Sequence, residues 1–357
     1  MNKYKVALLP GDGIGPEITT VTKNILKKLS DKSSFEIIFN EYYFGGNAIE
    51  KFGKPLPEET LKGCLESDAI LMAAIGNPKF DNLPREDRPE SGLLKLRSEL
   101  KLFANIRPVK VWKSLINSST LKSEVIENVD LIVVRELTGG IYFGEPKGRI
   151  KNNNSERAFN TMAYTSNEID RISKIAFELA KSRSKKICSV DKANVLDVSQ
   201  LWRERVTSLS KEYSEVDLSH MYVDNASMQL IRDPSQFDII LTGNLFGDII
   251  SDEAAMITGS IGMLPSSSLS ENGPGLFEPV HGSAPDIAGK DIANPIAMIL
   301  SAAMMLRIGL KESDAAVKLE GAVEKVLNSG ARTFDLNESK NSSYTCSEIG
   351  KLIYDNI

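Results

Sequence analysis

Short apolar runs alternate with amphipathic segments at the start of the chain. The runs at 4–9, 35–41 and 69–74 have the length of strands, whereas 16–30 and 58–65 carry apolar residues at helical spacing. Strands that alternate with helices are typical of a mostly parallel sheet covered by helices. The pattern therefore predicts an α/β fold.

The same alternation continues towards the carboxyl terminus. We predict strands at 104–108, 130–136, 157–165, 186–190, 217–223 and 237–241, and helices at 92–100, 166–183, 195–210, from 244 onwards and at 294–310. The segment 269–291 is rich in Gly and Pro and shows no periodicity, so we predict a long loop there. Loops of that length in compact proteins usually have a function.

Composition narrows the class of protein. A chain of 357 residues indicates two domains or one large α/β unit, and 41% hydrophobic with 25% charged residues is typical of a soluble globular protein. A net charge of −5 disfavours a nucleic-acid binder. Cys64, Cys188 and Cys346 match no metal spacing, so we expect free thiols in a reducing compartment. We find no leader and no apolar run of membrane-spanning length, and we therefore expect a cytoplasmic protein.

The segment 243–252 follows a strand-like run and opens a helix. Asp248 and Asp252 are four residues apart, so they share one face of that helix. Two carboxylates that close repel each other unless a cation lies between them, and Mg²⁺ or Mn²⁺ prefers such oxygen ligands. Taken alone, the pair is also compatible with a helix cap and a solvated surface charge.

The glycines Gly11, Gly13 and Gly15 lie between the first strand and the first helix. They do not form the dinucleotide fingerprint of a Rossmann fold, because the third glycine comes one residue early and Pro16 follows it. They allow a tight turn, and helix N–H groups at such a turn can meet an anion. A turn without a ligand and a turn that faces a ligand are equally compatible with the sequence.

Three arginines, one lysine and one tyrosine are further candidate site residues. Arg97 lies on a predicted helix, while Arg107 and Arg135 are predicted to end strands. Guanidinium groups bind carboxylates bidentately, so together with the aspartates they indicate a site for a polycarboxylate and a metal. Lys192, after a buried strand, and Tyr142, in a Gly-rich turn, are candidates for proton transfer.

Two further aspartates complete the set. Asp224 is predicted to end a strand, where ligands of open α/β sheets gather, and is a candidate third carboxylate for the metal. Asp286 lies in the turn-rich stretch 278–287. Its carboxylate can accept hydrogen bonds from a ribose diol and would repel a 2′-phosphate.

Three motifs together resemble one enzyme family. Residues 9–17, 244–252 and 281–286 are similar to the β-decarboxylating dehydrogenases of the isocitrate/isopropylmalate type, in order and along almost the whole chain. The segment 90–97 distinguishes the subgroups. Isocitrate-specific relatives carry Ser and Asn there, whereas Leu93 and Leu94 offer an apolar surface for an isopropyl group, with Glu90 near the nicotinamide end.

The resemblance implies an architecture. It implies two α/β domains with a mixed, mostly parallel sheet and no Rossmann unit. The first, cofactor-side domain would comprise 1–102 and 260–357, and the second, 103–259, would carry the interface of a homodimer with shared active sites.

The resemblance also implies a role for each site residue. Arg97, Arg107 and Arg135 would bind the malate carboxylates, and Asp248 and Asp252 would hold Mg²⁺ or Mn²⁺ together with Asp224 of the partner subunit, which also borders the substrate. Lys192 of the partner subunit would accept the hydroxyl proton, and Tyr142 would protonate the enol carbon. Glu90, Leu93 and Leu94, with Val195 of the partner subunit, would complete the substrate pocket. The adenosine half of NAD would meet Ile14, His281, Gly282, Ser283, Ala284, Pro285, Asp286, Ile287 and Asn294. NADP-dependent relatives have Lys-Tyr in place of Asp286-Ile287.

The implied reaction is the NAD-dependent oxidative decarboxylation of (2R,3S)-3-isopropylmalate to 4-methyl-2-oxopentanoate and CO₂, in leucine biosynthesis. One alternative keeps the chemistry but acts on homoisocitrate, D-malate or tartrate. Apolar contacts discriminate such substrates by only ~1–3 kcal/mol. A non-catalytic regulatory subunit or a nucleotide-binding scaffold is disfavoured, because Tyr142, Lys192 and the three aspartates are all present.

Overall fold

The computed structural model describes residues 2–152, 155–337 and 343–357. The strands are β1 (Asn2–Gly11), β2 (Phe35–Glu41), β3 (Ala69–Ala74), β4 (Ala104–Lys110), β5 (Asp130–Glu136), β6 (Gly148–Asn152), β7 (Ser155–Phe159), β8 (Lys186–Asp191), β9 (Asp217–Tyr222), β10 (Ile239–Thr242), β11 (Pro265–Leu269) and β12 (Gly275–Pro279). The helices are α1 (Gly15–Asp31), α2 (Gly46–Phe52), α3 (Glu58–Leu65), α4 (Pro89–Glu99), α5 (Ser123–Ile126), α6 (Ser166–Lys181), α7 (Asp197–Ser210), α8 (Val223–Arg232), α9 (Asn244–Ile257), α10 (Ile296–Met304), α11 (Ser313–Asn328) and α12 (Cys346–Asp355).

The described chain forms two compact units. Unit 1 comprises 1–102, 112–120 and 258–357, and unit 2 comprises 103–111 and 121–257. In unit 1 the strand order is β2-β1-β3-β12-β11, with all pairs parallel except β11 with β12. β3 and β12 are buried along their whole length, which places them in the core of this unit.

Unit 2 has the strand order β4-β5-β10-β8-β9. β4 runs antiparallel to β5, and the other neighbours are parallel. β6 and β7 form a separate antiparallel ribbon. The prediction of a mixed, mostly parallel α/β sheet is confirmed. In unit 1 the late strand β12 lies beside β3, an order unlike the consecutive βαβ halves of a Rossmann unit.

Side-chain chemistry explains where several helices begin. Thr165 and Glu168 form a capping box at the start of α6, and Thr345 and Glu348 form another at the start of α12. Pro16 lies in the first turn of α1, where a missing N–H costs nothing.

No helix among the described residues is both long and apolar enough to span a membrane.

Several predicted boundaries were wrong. The stretch predicted as one loop at 269–291 contains β12, a strand too short and too closely bounded by Gly and Pro to show periodicity. The strand predicted at 157–165 is β7, which ends at Phe159, and α4 begins three residues before the predicted start at 92. The helix predicted at 294–310 is α10 followed by a π-helical turn at 305–309.

Two candidate site residues lie in other local structures than predicted. Asp224 does not end a strand but lies in the first turn of α8, where a negative charge is favoured by the helix dipole. Arg107 lies in the middle of β4 rather than at its end. Because β4 runs antiparallel to β5, Arg107 pairs with Val133 in the middle of β5, two residues before Arg135.

Candidate functional site

Five of the candidate side chains meet in unit 2. Arg107 projects from β4, Arg135 lies near the end of β5, and Tyr142 ends a 3₁₀ turn at 140–142. Asp248 and Asp252 lie one turn apart on α9, which follows β10. β10 pairs with β5, so the start of α9 is brought to the end of the strand that carries Arg135.

Asp248 is the centre of this cluster. One of its carboxylate oxygens accepts a short hydrogen bond from Arg135 Nη1 and lies 3.8 Å from Arg107 Nη2. The other oxygen accepts a hydrogen bond from the Tyr142 hydroxyl at 2.9 Å. Asp252 accepts one from Arg107 Nη1 at 3.1 Å. Both arginine side chains are less than 10% exposed, whereas those of Asp248 and Asp252 are 36% and 59% exposed.

The environment shifts two pKa values in the cluster. Burial raises the pKa of Tyr142, and the charge of Asp248 and the hydrogen bond to it raise it further. Tyr142 is therefore a protonated phenol at neutral pH, which is the state of a proton donor. Partial burial and the neighbouring charge of Asp248 raise the pKa of Asp252, while Arg107 opposes that shift.

The charges of the cluster nearly cancel. Two guanidinium groups face two carboxylates, so their positive and negative charges compensate each other. A dicarboxylate and a divalent cation can enter together without changing the net charge, because the substrate takes the arginines and the cation takes the aspartates. The arrangement can therefore hold an anionic substrate against a metal.

Lys192 and Asp224 form a second, separate pair in unit 2. Lys192 Nζ donates to Asp224 Oδ1 at 2.7 Å, and this hydrogen bond lowers the pKa of Asp224. Within the described part of the chain, no three His, Cys, Asp or Glu side chains come together to hold a metal ion. Val195, three residues after Lys192, is 66% exposed. One copy of the chain thus brings together two of the three predicted metal ligands.

Arg97 of unit 1 lies on α4 and donates to Glu278 of β12 at 2.8 Å. Both side chains are nearly buried, which makes this an ion pair of the interior rather than of the surface. On the same helix Leu93 is half-buried and packs against the unit 1 core, and Leu94 is half-buried as well. Glu90 is exposed, with its carboxylate near Gly76.

The glycine turn between β1 and α1 packs against the 281–287 loop. The Ile14 N–H donates to the Ser283 carbonyl oxygen at 2.9 Å. Gly13 has a φ of +58°, and a Cβ there would lie 1.9 Å from the same oxygen, so only glycine fits. This turn therefore has a packing role, and it holds the loop on which the predicted cofactor residues lie.

Among the predicted cofactor residues of unit 1, His281 and Asp286 offer polar atoms to a ligand, whereas the side chain of Asn294 is hydrogen-bonded within the protein. His281 Nδ1 lies 2.9 Å from the Gly282 carbonyl oxygen, while its buried Nε2 has no hydrogen-bond partner among the described residues. Burial lowers the pKa of His281, so the ring is neutral. Asp286 is exposed. Asn294 is different, because its amide donates to Asp335 at 3.1 Å and its oxygen caps α10 by accepting from the Ile296 N–H at 3.0 Å.

The remaining cofactor candidates lie on the loop itself. Ser283 is buried, Ala284 and Ile287 are half-buried, and Gly282 and Pro285 are exposed. Ala284 has a φ of +40°, an uncommon conformation for a residue with a side chain.

Sequence reasoning assigned no role to several polar residues that organise these sites. They are Asp12, which accepts three backbone N–H bonds at the start of α2 and at Gly76; Asn105 and Ser251, which bind Arg107; Asn244, which binds Arg135; and Glu278, which binds Arg97. An Asn directly after a strand and Gly243 indicates a helix start, but the Asn244 side chain binds Arg135 instead of capping α9.

The chain is similar to known proteins along almost its whole length. Residues 5–353 match the family model described as isocitrate/isopropylmalate dehydrogenase. The chain is 65% identical over 354 residues to the 3-isopropylmalate dehydrogenase of Prochlorococcus marinus (strain NATL2A), covering 99% of each chain. It is 64% identical over 351 residues to that of Synechococcus sp. (strain CC9902), covering 98% of each.

Solved structures show the same fold. The crystal structure of isocitrate dehydrogenase from Methylococcus capsulatus superposes with a TM-score of 0.88 at 34% identity, covering 99% of both chains. A β-decarboxylating dehydrogenase from Thermococcus kodakarensis gives a TM-score of 0.80 at 34% identity, covering 99% of this chain and 96% of that one. The family model and the full-length relatives leave one assignment: the chain belongs to the isocitrate/isopropylmalate dehydrogenase family.

Proposed function

We propose that this protein catalyses the NAD-dependent oxidative decarboxylation of (2R,3S)-3-isopropylmalate to 4-methyl-2-oxopentanoate and CO₂, a step of leucine biosynthesis. Full-length relatives named 3-isopropylmalate dehydrogenase, at 63–65% identity, support this substrate. The observation that carries the chemistry is the unit 2 cluster of two guanidinium groups, two carboxylates and a protonated phenol.

The carboxylates of this cluster fit two of the three proposed ligands of a divalent metal ion. Asp248 and Asp252 offer carboxylate oxygens from one helix face, as Mg²⁺ or Mn²⁺ requires. We assign the third carboxylate to Asp224 of a second copy, since the described residues of one chain do not bring three such groups together. When bound, the divalent ion supplies Lewis-acid stabilisation of the negative charge that develops as CO₂ leaves.

The 281–287 loop fits an adenine nucleotide. The unpartnered, neutral Nε2 of His281 is an acceptor for a polar group of a ligand, and the exposed Asp286 carboxylate can accept hydrogen bonds from a ribose diol. The same carboxylate would repel a 2′-phosphate, which favours NAD over NADP. We assign Ile14, Asn294 and the other residues of 281–287 to the same site. Bound NAD⁺ supplies the acceptor for the hydride of the substrate.

The chain's own residues bind the substrate and move its protons. Arg107 and Arg135, with Arg97, hold the carboxylates of the malate core. Lys192 of the second copy accepts the proton of the C2 hydroxyl, directly or through water, as the C2 hydride leaves. After CO₂ departs, Tyr142 donates its phenolic proton to the enol carbon. The raised pKa of Tyr142 keeps that proton in place until this step.

The substrate pocket is proposed to be apolar at one end. Leu93 and Leu94 present half-buried side chains on α4, and the exposed Val195 of the second copy would complete the surface around the isopropyl group. Glu90 would lie at the nicotinamide end. Homoisocitrate, D-malate and tartrate are disfavoured by this pocket but share the malate core.

We also propose a homodimer. Large apolar side chains are exposed on α8 and α9, namely Met228 (61%), Ile231 (46%), Ile249 (54%) and Met256 (53%). α8 and α9 contact each other, and apolar side chains exposed on neighbouring helices indicate a candidate interface. The exposed ribbon β6–β7 supports the same proposal, because an isolated two-stranded ribbon is marginally stable in water. The domain of residues 103–259 would therefore carry the interface, and that of 1–102 and 260–357 the cofactor. We place the enzyme in the cytoplasm, where its three buried free thiols would stay reduced.

The experiment that tests the proposal is an NADH-formation assay on the purified protein with Mg²⁺. It compares 3-isopropylmalate, isocitrate, homoisocitrate, D-malate and tartrate, each with NAD⁺ and with NADP⁺. We expect the highest kcat/KM for 3-isopropylmalate with NAD⁺. Preference for another malate derivative would overturn the pocket assignment alone, and absence of turnover with every substrate would contradict the proposed reaction.

A further inference from the structure

Asn244, the first residue of α9, has a buried side chain whose amide oxygen and nitrogen are both hydrogen-bonded. It is 1% exposed. Its Oδ1 accepts hydrogen bonds from Arg135 Nε at 3.2 Å and from Arg135 Nη2 at 2.8 Å. Its Nδ2 donates to the carbonyl oxygens of Leu137 at 3.0 Å and Gly139 at 3.2 Å. Both acceptor and donor capacity of the amide are thus filled.

These contacts join two parts of the unit 2 cluster. On one side the amide oxygen binds the Nε–Nη2 edge of Arg135, and Arg135 Nη1 is left to donate to Asp248. On the other side it holds the segment 137–139, which leads directly into the 3₁₀ turn of Tyr142. The Asn244 backbone N–H, donating to the Tyr164 hydroxyl at 2.7 Å, fixes the start of α9 as well.

A neutral amide suits this position better than a carboxylate. Aspartate is nearly isosteric and would also accept from Arg135, but it would set a third acceptor against the Leu137 and Gly139 oxygens. It would also neutralise the guanidinium and weaken its attraction for a substrate carboxylate. Arg107 is supported in the same way, because its Nε donates to the buried Asn105 Oδ1 at 2.8 Å.

We propose that Asn244 is a positioning residue of this reaction: its amide aims Arg135 at a substrate carboxylate and holds the turn that presents Tyr142. This inference rests on the function proposed above. It predicts that loss of the amide weakens substrate binding and slows turnover together, since both Arg135 and Tyr142 lose their support.

The test compares Asn244→Asp with wild type and with a matched control. The control is Ser30→Ala, which removes one buried hydrogen bond, from the Ser30 hydroxyl to the Phe35 carbonyl oxygen at 2.9 Å, in unit 1, which carries none of the unit 2 cluster residues. We measure kcat and KM, and by calorimetry the Kd of D-malate with Mg²⁺ and without NAD. D-malate carries the core shared by the candidate substrates.

We expect Asn244→Asp to raise both KM and the D-malate Kd by about tenfold or more and to lower kcat, a change of about 1.4 kcal/mol in binding. Ser30→Ala should leave KM and Kd unchanged. A general loss of stability would reduce the active fraction in either variant but would not move KM or Kd. If Asn244→Asp does not fold, Asn244→Ser, which removes the amide without adding a charge, is measured in the same way.

The outcomes separate this inference from the proposed function. If wild type is active while the Asn244 variants keep KM and Kd near the wild-type values, the positioning role is wrong and the proposed function stands. If wild type neither binds D-malate nor oxidises any candidate substrate, the proposed function fails and the inference with it.

Discussion

At the level of single residues, Arg135, Arg107 and Tyr142 converge on the carboxylate of Asp248. The arginines and aspartates of the cluster were identified by type and by position near strands and helices. Their contacts were not, since Asp248 and Arg135 are 113 residues apart and no local pattern encodes such a pair. The supporting residues Asn244 and Ser251 were missed for the same reason. Asn105 lies only two residues from Arg107 on β4, and strand periodicity predicts that the two side chains share a face but not that they pair.

Replacement of Tyr142 by Phe tests the proton donor. The variant keeps the ring and removes the hydroxyl that donates to Asp248. We expect kcat to fall by about 10²–10⁴-fold, the usual contribution of a general acid, while the Kd of 3-isopropylmalate stays close to wild type. Stopped assays of product formation and calorimetry measure the two quantities. A Tyr142→Phe enzyme with near-normal kcat would remove Tyr142 from the proton path.

The raised pKa of Tyr142 gives this residue a pH dependence of known sign. A phenol donates only while protonated, and its ordinary pKa is about 10. Because burial, the largest cause, raises the pKa, the midpoint of any activity loss through Tyr142 ionisation should lie above that value rather than below it. The kcat profile of wild type on its alkaline side, compared with that of Tyr142→Phe, measures this. A Tyr142-dependent fall well below pH 10 would contradict the assignment.

At the level of elements, segments with clear hydrophobic periodicity were predicted accurately, whereas a short strand between Gly and Pro was not. The strands at β2 and β3 and the helix α3 were predicted to the residue, because each is an uninterrupted apolar or amphipathic run. β12 was missed because its apolar centre is only two residues long between Gly and Pro. The glycine turn after β1 was predicted, but its contact with Ser283 joins segments 270 residues apart and left no local signal.

Replacement of Gly13 by Ala tests the contact between that turn and the 281–287 loop. A Cβ there would collide with the Ser283 carbonyl oxygen, and the φ of +58° is strained for alanine. We expect a stability loss of about 1–3 kcal/mol and a higher KM for NAD⁺. Urea unfolding and NAD⁺ titrations measure both.

Gly321 provides the matched control. It lies inside α11 without a positive φ, and a Cβ there would meet nothing within 4 Å. Gly321→Ala should therefore increase stability by about 0.5–1 kcal/mol and leave the KM for NAD⁺ unchanged. Equal behaviour of the two alanine variants would contradict the packing role of Gly13.

At the level of the whole molecule, the proposed site needs groups that the described residues of one chain do not bring together. Arg107, Arg135, Tyr142, Asp248 and Asp252 come together, while Lys192 and Asp224 pair with each other elsewhere in the same unit. The sequence predicted both sets through the family resemblance, but composition and periodicity contain nothing about which groups come from which copy. The exposed apolar side chains of α8 and α9 are the physical reason to expect a second copy.

Intersubunit complementation tests this shared site most directly. Tyr142→Phe and Lys192→Ala chains, each inactive alone, are co-expressed with different tags, and the mixed dimer is purified through both tags. If each site takes Tyr142 from one copy and Lys192 from the other, one of the two sites in a mixed dimer is fully wild type, so the purified heterodimer should have roughly half of wild-type activity. If both residues act within one chain, every site contains a defect and the mixed dimer stays as inactive as its parents.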